Sequence, residues 1–214
     1  QALAFSPDGR FLALAGETVR IWDSSSRTFT AEWPHPKPVR ELAFNRRGDR
    51  IATACEDGMA RVFRVEGEAG EAKPLFTVPH VGVAPVSYTG VYWEDLPVRP
   101  LFVHGDRGLL TLGSNSMVTW WDAETGKSVR SVEFTNPIST LASSPDGRGV
   151  VVGGSQGDLQ IWNMNADTPR VLLQDLSDRI WEAVFSPDST ALLTASSDRN
   201  VRLWDVSRGL LSVT

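Results

Sequence analysis

Apolar and polar residues alternate with a period of two in short stretches of this 214-residue chain, and the stretches recur at a fixed spacing. Positions three and one before an aromatic residue are Val19 and Ile21, Ala60 and Val62, Val118 and Trp120, Leu159 and Ile161, and Val201 and Leu203. All of them are apolar. The aromatics themselves, Trp22, Phe63, Trp121, Trp162 and Trp204, follow one another at intervals of 41, 58, 41 and 42 residues. The period is therefore about 41, with one insertion of 17. An upstream anchor, Phe5, Phe44, Phe102, Ser143 and Phe185, keeps nearly the same step.

Each of the five units predicts four short strands. The first ends in a small apolar pair and an aromatic, as in Leu3-Ala4-Phe5 and Ala183-Val184-Phe185, and then meets a turn such as Ser6-Pro7-Asp8-Gly9 or Ser144-Pro145-Asp146-Gly147. Serine, proline and glycine at those places suit a type I turn, because proline presets φ and glycine tolerates the exit conformation. An apolar second strand follows (Phe11 to Ala15, Arg50 to Ala54, Leu109 to Leu112, Val150 to Val152, Ala191 to Ala195), then the alternating third strand. Turns such as Asp122 to Gly126 lead to a fourth strand, for example Lys127 to Phe134. Sheets that are apolar on both faces must lie between other sheets, and no helical stripe is present to cover them.

Composition adds exclusions. A formal charge of −5 at pH 7 leaves no basic footprint for a nucleic acid. No apolar run approaches the length that spans a bilayer. The single cysteine, Cys55, allows no internal disulfide and has no metal-spaced partners, so a reducing, cytoplasmic setting is expected, with no metal and no cofactor. The chain opens at Gln1 and its first methionine is Met59, so a longer native protein is expected.

On the Ser-Pro-Asp-Gly turn, the strands ending in Trp-Asp (Val19 to Asp23 and Val201 to Asp205) and the 41-residue period, the chain resembles the WD-repeat β-propeller family. The resemblance covers residues 1–80 and 99–214. It implies an all-β fold, a β-propeller of four-stranded antiparallel blades with about five present, bounded near 1–34, 35–80, 81–134, 135–176 and 177–214, with the insertion at 81–98. The family's blades carry a hydrogen-bonded set of His, Ser/Thr, Asp and Trp. The resemblance places His35 alone in the His slot, Thr53 and Thr194 in the hydroxyl slot and Asp57 and Asp198 in the Asp slot. Trp22, Trp121, Trp162 and Trp204 take the aromatic slot, Phe63 replaces Trp in the second unit, and Asp23, Asp122 and Asp205 complete the Trp-Asp endings. It also implies further blades in the same native chain, whose loss would leave a strand-rich flank uncovered at each end; a closed five-bladed ring is the alternative.

Candidate chemistry is thin. Gly153-Gly154-Ser155-Gln156-Gly157 fits the nucleophile elbow G-x-S-x-G, but a strand rather than a helix follows it, so it reads as a turn. His80 and His104 read as solvated loop histidines, Cys55 as a buried small residue, and Asp8, Asp146 and Asp188 as turn caps. The expected function is a non-catalytic interaction module, a scaffold or sensor that binds a protein or peptide, and not an enzyme. The resemblance puts partner contacts at the entry to first strands and in the turns before third strands: Arg40, Glu56, Ser155, Arg179, Trp181 and Ser197, with Trp33 and His35 in the loop Pro34 to Pro38. Trp181 is the foremost of these, since its sister positions hold Arg40 and Ser139. Tyr92 and Trp93 make the insertion a further candidate, because aromatic residues dominate binding hot spots. The alternative is a propeller that gates or accompanies a hydrolase or peptidase.

Overall fold

A computed structural model describes residues 2–66, 73–80, 100–103, 105–112, 116–163, 169–173, 178–206 and 210–213. Every regular element among them is a β-strand, and the strands form five four-stranded sheets in sequence order. The first sheet holds β1 (Ala2–Phe5), β2 (Phe11–Ala15), β3 (Thr18–Asp23) and β4 (Thr28–Pro34). The second holds β5 (Val39–Phe44), β6 (Arg50–Cys55), β7 (Met59–Arg64) and β8 (Phe76–Pro79). The third holds β9 (Leu101–Val103), β10 (Gly108–Leu112), β11 (Met117–Asp122) and β12 (Ser128–Glu133). The fourth holds β13 (Ile138–Ser143), β14 (Gly149–Gly154), β15 (Leu159–Asn163) and β16 (Pro169–Leu173). The fifth holds β17 (Ile180–Phe185), β18 (Ala191–Ser196), β19 (Val201–Asp205) and β20 (Leu210–Val213). The antiparallel meander is the one expected from the repeat; the insertion at 81–98, with Tyr92 and Trp93, lies outside the described residues, as does His104.

The chain divides into two compact units. One comprises Gln1–Val86, Val98–Phe102 and Asp106–Val132; the other comprises Ser87–Pro97, Val103–Gly105 and Glu133–Thr214. In the first, Ala13, Val19 and Ile21 pack against Val39, Leu42, Ile51 and Phe63, so the first and second sheets share a core. The opposite face of the second sheet, Ala52, Ala60, Val62 and Val78, packs with Leu109 and Trp121 of the third. In the second unit, Val151, Leu159 and Ile161 meet Ile180, Ala183, Phe185, Leu192 and Trp204. Burying an indole such as that of Trp204 contributes on the order of 4 kcal/mol of apolar transfer.

Burial along the second strands separates two kinds of sheet. β6, β10 and β14 are buried continuously after their first residue, on both faces, whereas β2 and β18 alternate buried with partly exposed or exposed. The uncovered faces are apolar: Leu3 is 70% exposed and Phe5 69% on β1, and Leu193 is 46% exposed on β18 between Val184 and Leu203.

The turns behave as the proline-glycine chemistry requires. Ser6 Oγ accepts the Phe11 N–H at 2.8 Å and donates to Asp8 Oδ1 at 2.5 Å, while Gly9, at φ +73°, donates its N–H to Ser6 O at 2.8 Å. Ser144 with Asp146 and Ser186 with Asp188 repeat the serine-aspartate hydrogen bond. The hydroxyl of Ser186 and the N–H of Thr190 hold the Asp188 carboxyl down to about 2. After β11 the chain reverses at Gly126, whose N–H returns to Asp122 O at 2.8 Å with φ +68°. A Cβ there would lie 2.7 Å from the Phe76 ring. Gly126→Ala is therefore expected to cost about 2 kcal/mol, from the left-handed backbone and the clash together. Urea unfolding would read this as a lower midpoint at unchanged slope.

Candidate functional site

Among the described residues, three of the first strands carry a β-bulge just inside their entry. The pairing skips Arg40 between Val39 and Glu41, Ser139 between Ile138 and Thr140, and Trp181 between Ile180 and Glu182. A bulge releases one residue from the pleat and re-aims its side chain. Next to it, the turn before the third strand donates a backbone N–H to the residue two before the bulge: Glu56 to Pro38 O at 3.0 Å, Ser155 to Pro137 O and Ser197 to Arg179 O at 2.8 Å each. This bond joins the two segments from which partner contacts are expected.

In the second unit the bulge of β17 exposes a tryptophan. Trp181 is 55% exposed, and the Arg179 guanidinium lies over its ring, 4.4 Å from the centroid. Ser197 is tied to the Arg179 backbone, as above, and Ser139, buried at its own bulge, donates from Oγ to Ile180 O at 2.7 Å. Ser155 sits over the entry to β13, in the neighbouring blade, through Pro137. In the first unit, Arg40 is ion-paired with Glu56. The structure thus brings Arg179, Trp181 and Ser197 together, and Arg40 with Glu56.

Trp33 and His35 require correction. Trp33 is 4% exposed, stacked on Phe63 with centroids 4.5 Å apart and planes 9° from parallel, so its surface is spent on the core. His35 faces inward as well: its Nδ1 lies 3.0 Å from Trp33 O and its Nε2 3.0 Å from Thr53 Oγ1. A carbonyl only accepts, so Nδ1 carries the proton and Nε2 accepts from Thr53. His80 is corrected too. It is half-buried rather than solvated, and it occupies the place after β8 that His35 occupies after β4. Its N–H bonds to Gly58 O at 3.0 Å, as that of His35 bonds to Glu17 O, and its Nε2 donates to Cys55 O at 2.9 Å. The His slot is therefore filled twice.

The remaining members of the repeat set are structural. Trp121 Nε1 donates to Thr111 Oγ1 at 2.8 Å, and Trp204 Nε1 to Thr194 Oγ1 at 2.9 Å. In the fourth sheet the hydroxyl position is Val152, and Trp162 Nε1 turns instead to Gln160 Oε1 at 3.2 Å. Asp57 pairs with Arg61 at 2.5 Å and Asp198 with Arg202 at 2.7 Å, each pair largely buried. The aspartates after the aromatics cap turns. Asp23 Oδ1 accepts from Ser25, with Arg10 on Oδ2 at 2.9 Å, and Asp122 Oδ1 accepts the N–H of Thr125 at 2.7 Å. Asp205 ends β19, and Trp22 packs edge-on to Phe29.

Ser155 sits in a tight turn, as the strand after it required. Gly157 has φ +85°, and a Cβ on Gly154 would fall 1.9 Å from Asp158 Oδ1, so both glycines serve the turn. Among the described residues no group of three or more His, Cys, Asp or Glu is disposed to hold a metal, and no helix is long and apolar enough to cross a membrane.

The family model for the WD domain, G-beta repeat (WD40), matches residues 1–23, 25–64, 126–163 and 170–205, most of the length. The chain belongs to the WD40-repeat family. The sheets are its blades, and the third blade adopts the same meander although residues 65–125 lie outside the matched segments. Relatives include the target of rapamycin complex subunit wat1 of Schizosaccharomyces pombe, 27% identical over 94% of this WD40 chain and 63% of the relative. The LST8 homolog of Drosophila melanogaster is 28% identical over 95% of the chain and 64% of its own length. The WD repeat-containing protein slp1 of S. pombe is 25% identical over 82% of the chain and 34% of its own. The chain thus spans less than two thirds of the length of these relatives.

Two outcomes follow for the buried set. Thr194→Val strands the buried Trp204 indole N–H and should cost about 1–3 kcal/mol, measurable by urea unfolding. Burial, aided by the Arg61 guanidinium, holds His35 and His80 below their ordinary value of 6.5. Both are neutral in either state well above that value. As pH falls through it the unfolded chain takes up protons first, so this part of the stability is lost. The urea midpoint is expected to be lower at pH 5.5 than at pH 7.5, and His80→Gln to narrow the difference.

Proposed function

We propose that this WD40 chain is a non-catalytic protein- or peptide-binding module, a scaffold segment whose main anchor is Trp181. The observation that carries the reading is a large indole lifted from the sheet by a bulge, 55% exposed, with Arg179 over its ring and Ser197 beside it. Tryptophan and arginine are the residues that dominate interface energies, and a residue with no packing duty is free to supply one. Ser155 adds a polar group at the neighbouring strand entry of the second unit, and Arg40 with Glu56 are the corresponding positions of the first. Relatives that are subunits of a target of rapamycin complex support protein partners over other classes. The acidic balance speaks against nucleic acid and membrane, and the single buried thiol suits the cytoplasm. The engagement of His35, His80 and the G-x-S-x-G turn in folding supports a module without catalysis.

The same reading extends to further blades in the native chain. The row Phe5, Leu12 and Trp22 on the exposed face of the first blade repeats Phe185, Leu192 and Trp204, which the fifth blade buries. Val184, Leu193 and Leu203 likewise repeat Ala142, Val151 and Ile161, of which Val151 and Ile161 are buried in the fourth. Each exposed face has the composition of one that accepts a neighbouring blade.

Side-by-side affinity capture with the wild type and Trp181→Ala tests the function. Partners retained by the wild type should drop at least about tenfold on the variant, as befits a hot spot, with the unfolding midpoint unchanged. An identical retained set would overturn the assignment of Trp181.

A further inference from the structure

A cleft of about 370 Å³ opens in the second unit between β14–β15 and β17–β18, at the opposite end of the strands from Trp181. Its floor is Ile161, Trp162, Phe185 and Val206, all buried, and its mouth lies between the turns that carry Arg148 and Ser189. A single residue keeps it open. Gly149 pairs with Asn163, the residue after the blade tryptophan. The same register position is Phe11 in β2, buried in the core, and Arg50 in β6, whose guanidinium reaches Ala123 O at 2.6 Å. Small residues stand there in β10 and β18 as well, Gly108 and Ala191. A Cβ on Gly149 would meet Ser144 Oγ at 3.2 Å and the Phe185 ring at 3.7 Å, so a longer side chain would grow into the cleft.

We propose that this cleft is a second binding site, which receives an apolar or aromatic side chain of a peptide partner whose neighbouring residue is Asp or Glu. It rests on the reading of the chain as a peptide-binding module. The floor is apolar and aromatic, Ser144 and Asn163 add polar groups to the lining, and the volume sits at the low end for ligand pockets, sized for one or two side chains. The mouth supplies the charge selection. Asp146 Oδ1 is occupied by the Ser144 hydroxyl and the Arg148 N–H, and the Asp146 N–H donates to Ser189 Oγ at 3.1 Å, which pins the two turns together. Arg148 is exposed, and among the described residues no carboxylate forms an ion pair with it. Its planar fork matches a carboxylate in two parallel hydrogen bonds. The mouth opens to solvent along both turns, so a peptide can pass across it while one side chain enters.

The test is a titration of the full ¹⁵N-labelled chain with the blocked peptide acetyl-Gly-Phe-Glu-Gly-amide, followed by NMR. The indole N–H of Trp162 and the amides of Arg148 and Gly149 should shift and saturate. Replacing Glu by Gln in the peptide, or Arg148→Ala in the protein, should weaken binding about tenfold, the scale of a charge-assisted pair. Gly149→Arg, which copies the sister blade, should abolish binding while leaving the unfolding midpoint in place. Trp181→Ala should leave the titration unchanged, so failure of the Trp181 surface and failure of this cleft are told apart. The proposal is overturned if the shifts persist in Gly149→Arg, if Arg148→Ala binds as the wild type does, or if N-acetylphenylalanine alone binds as tightly as the peptide.

Discussion

Every blade depends on one constraint: its strands are apolar on both faces, and a sheet of that kind is stable only between two others. The second blade shows the constraint met, with Ile51 and Phe63 in one core and Ala52 and Val62 in the next. The first and fifth blades meet it on one face, and the exposed Phe5 and Leu193 mark where it is unmet. Two-faced burial also explains why the inner residues are small or β-branched. Alanine and valine at Ala52, Ala60 and Val62 let neighbouring sheets approach closely, while the aromatics fill the wider space around them.

Within that packing, each blade solves the same polar problem with different residues. A buried indole N–H needs an acceptor, and Thr111, Thr194 and Gln160 each provide one. Phe63 removes the donor altogether, so Thr53 bonds to His35 and the phenyl ring stacks on Trp33. His80 shows why its pKa falls: Nε2 donates to Cys55 O, Nδ1 is a buried bare lone pair, and a second proton there would find no acceptor among the described residues. Degeneracy of the repeat is thus compensated locally, by changing the partner rather than abandoning the hydrogen bond.

Features that distinguish one blade from another lie at the two ends of the strands. At one end the bulge residue is Arg40, Ser139 or Trp181, an ion-pair member, a buried hydrogen-bond donor or an exposed indole. At the other, Phe11 or Arg50 fills the register position that Gly149 leaves vacant in the fourth blade. Arg40 and Trp181 lie at the surface, where substitutions cost little, whereas Phe11 joins the core between the first two blades.

The repeat, the four strands per unit, the serine-aspartate turns and the aspartate caps were legible in the chain by itself, because period-2 burial and turn chemistry act within about ten residues. Trp181 stood out for the same reason, as a tryptophan where sister units hold arginine and serine. Tertiary structure decided the rest. The loop Pro34 to Pro38 looked like a binding loop, yet Trp33 and His35 turn inward, because their partners Phe63 and Thr53 lie in other strands of the next blade. His80 carried no local sign of its partner Cys55, twenty-five residues away. The bulges have no composition of their own, and a cleft opened by one glycine exists only when the facing blade is in place. Local rules set the elements; contacts between sheets decided which side chains are consumed by folding and which remain to bind.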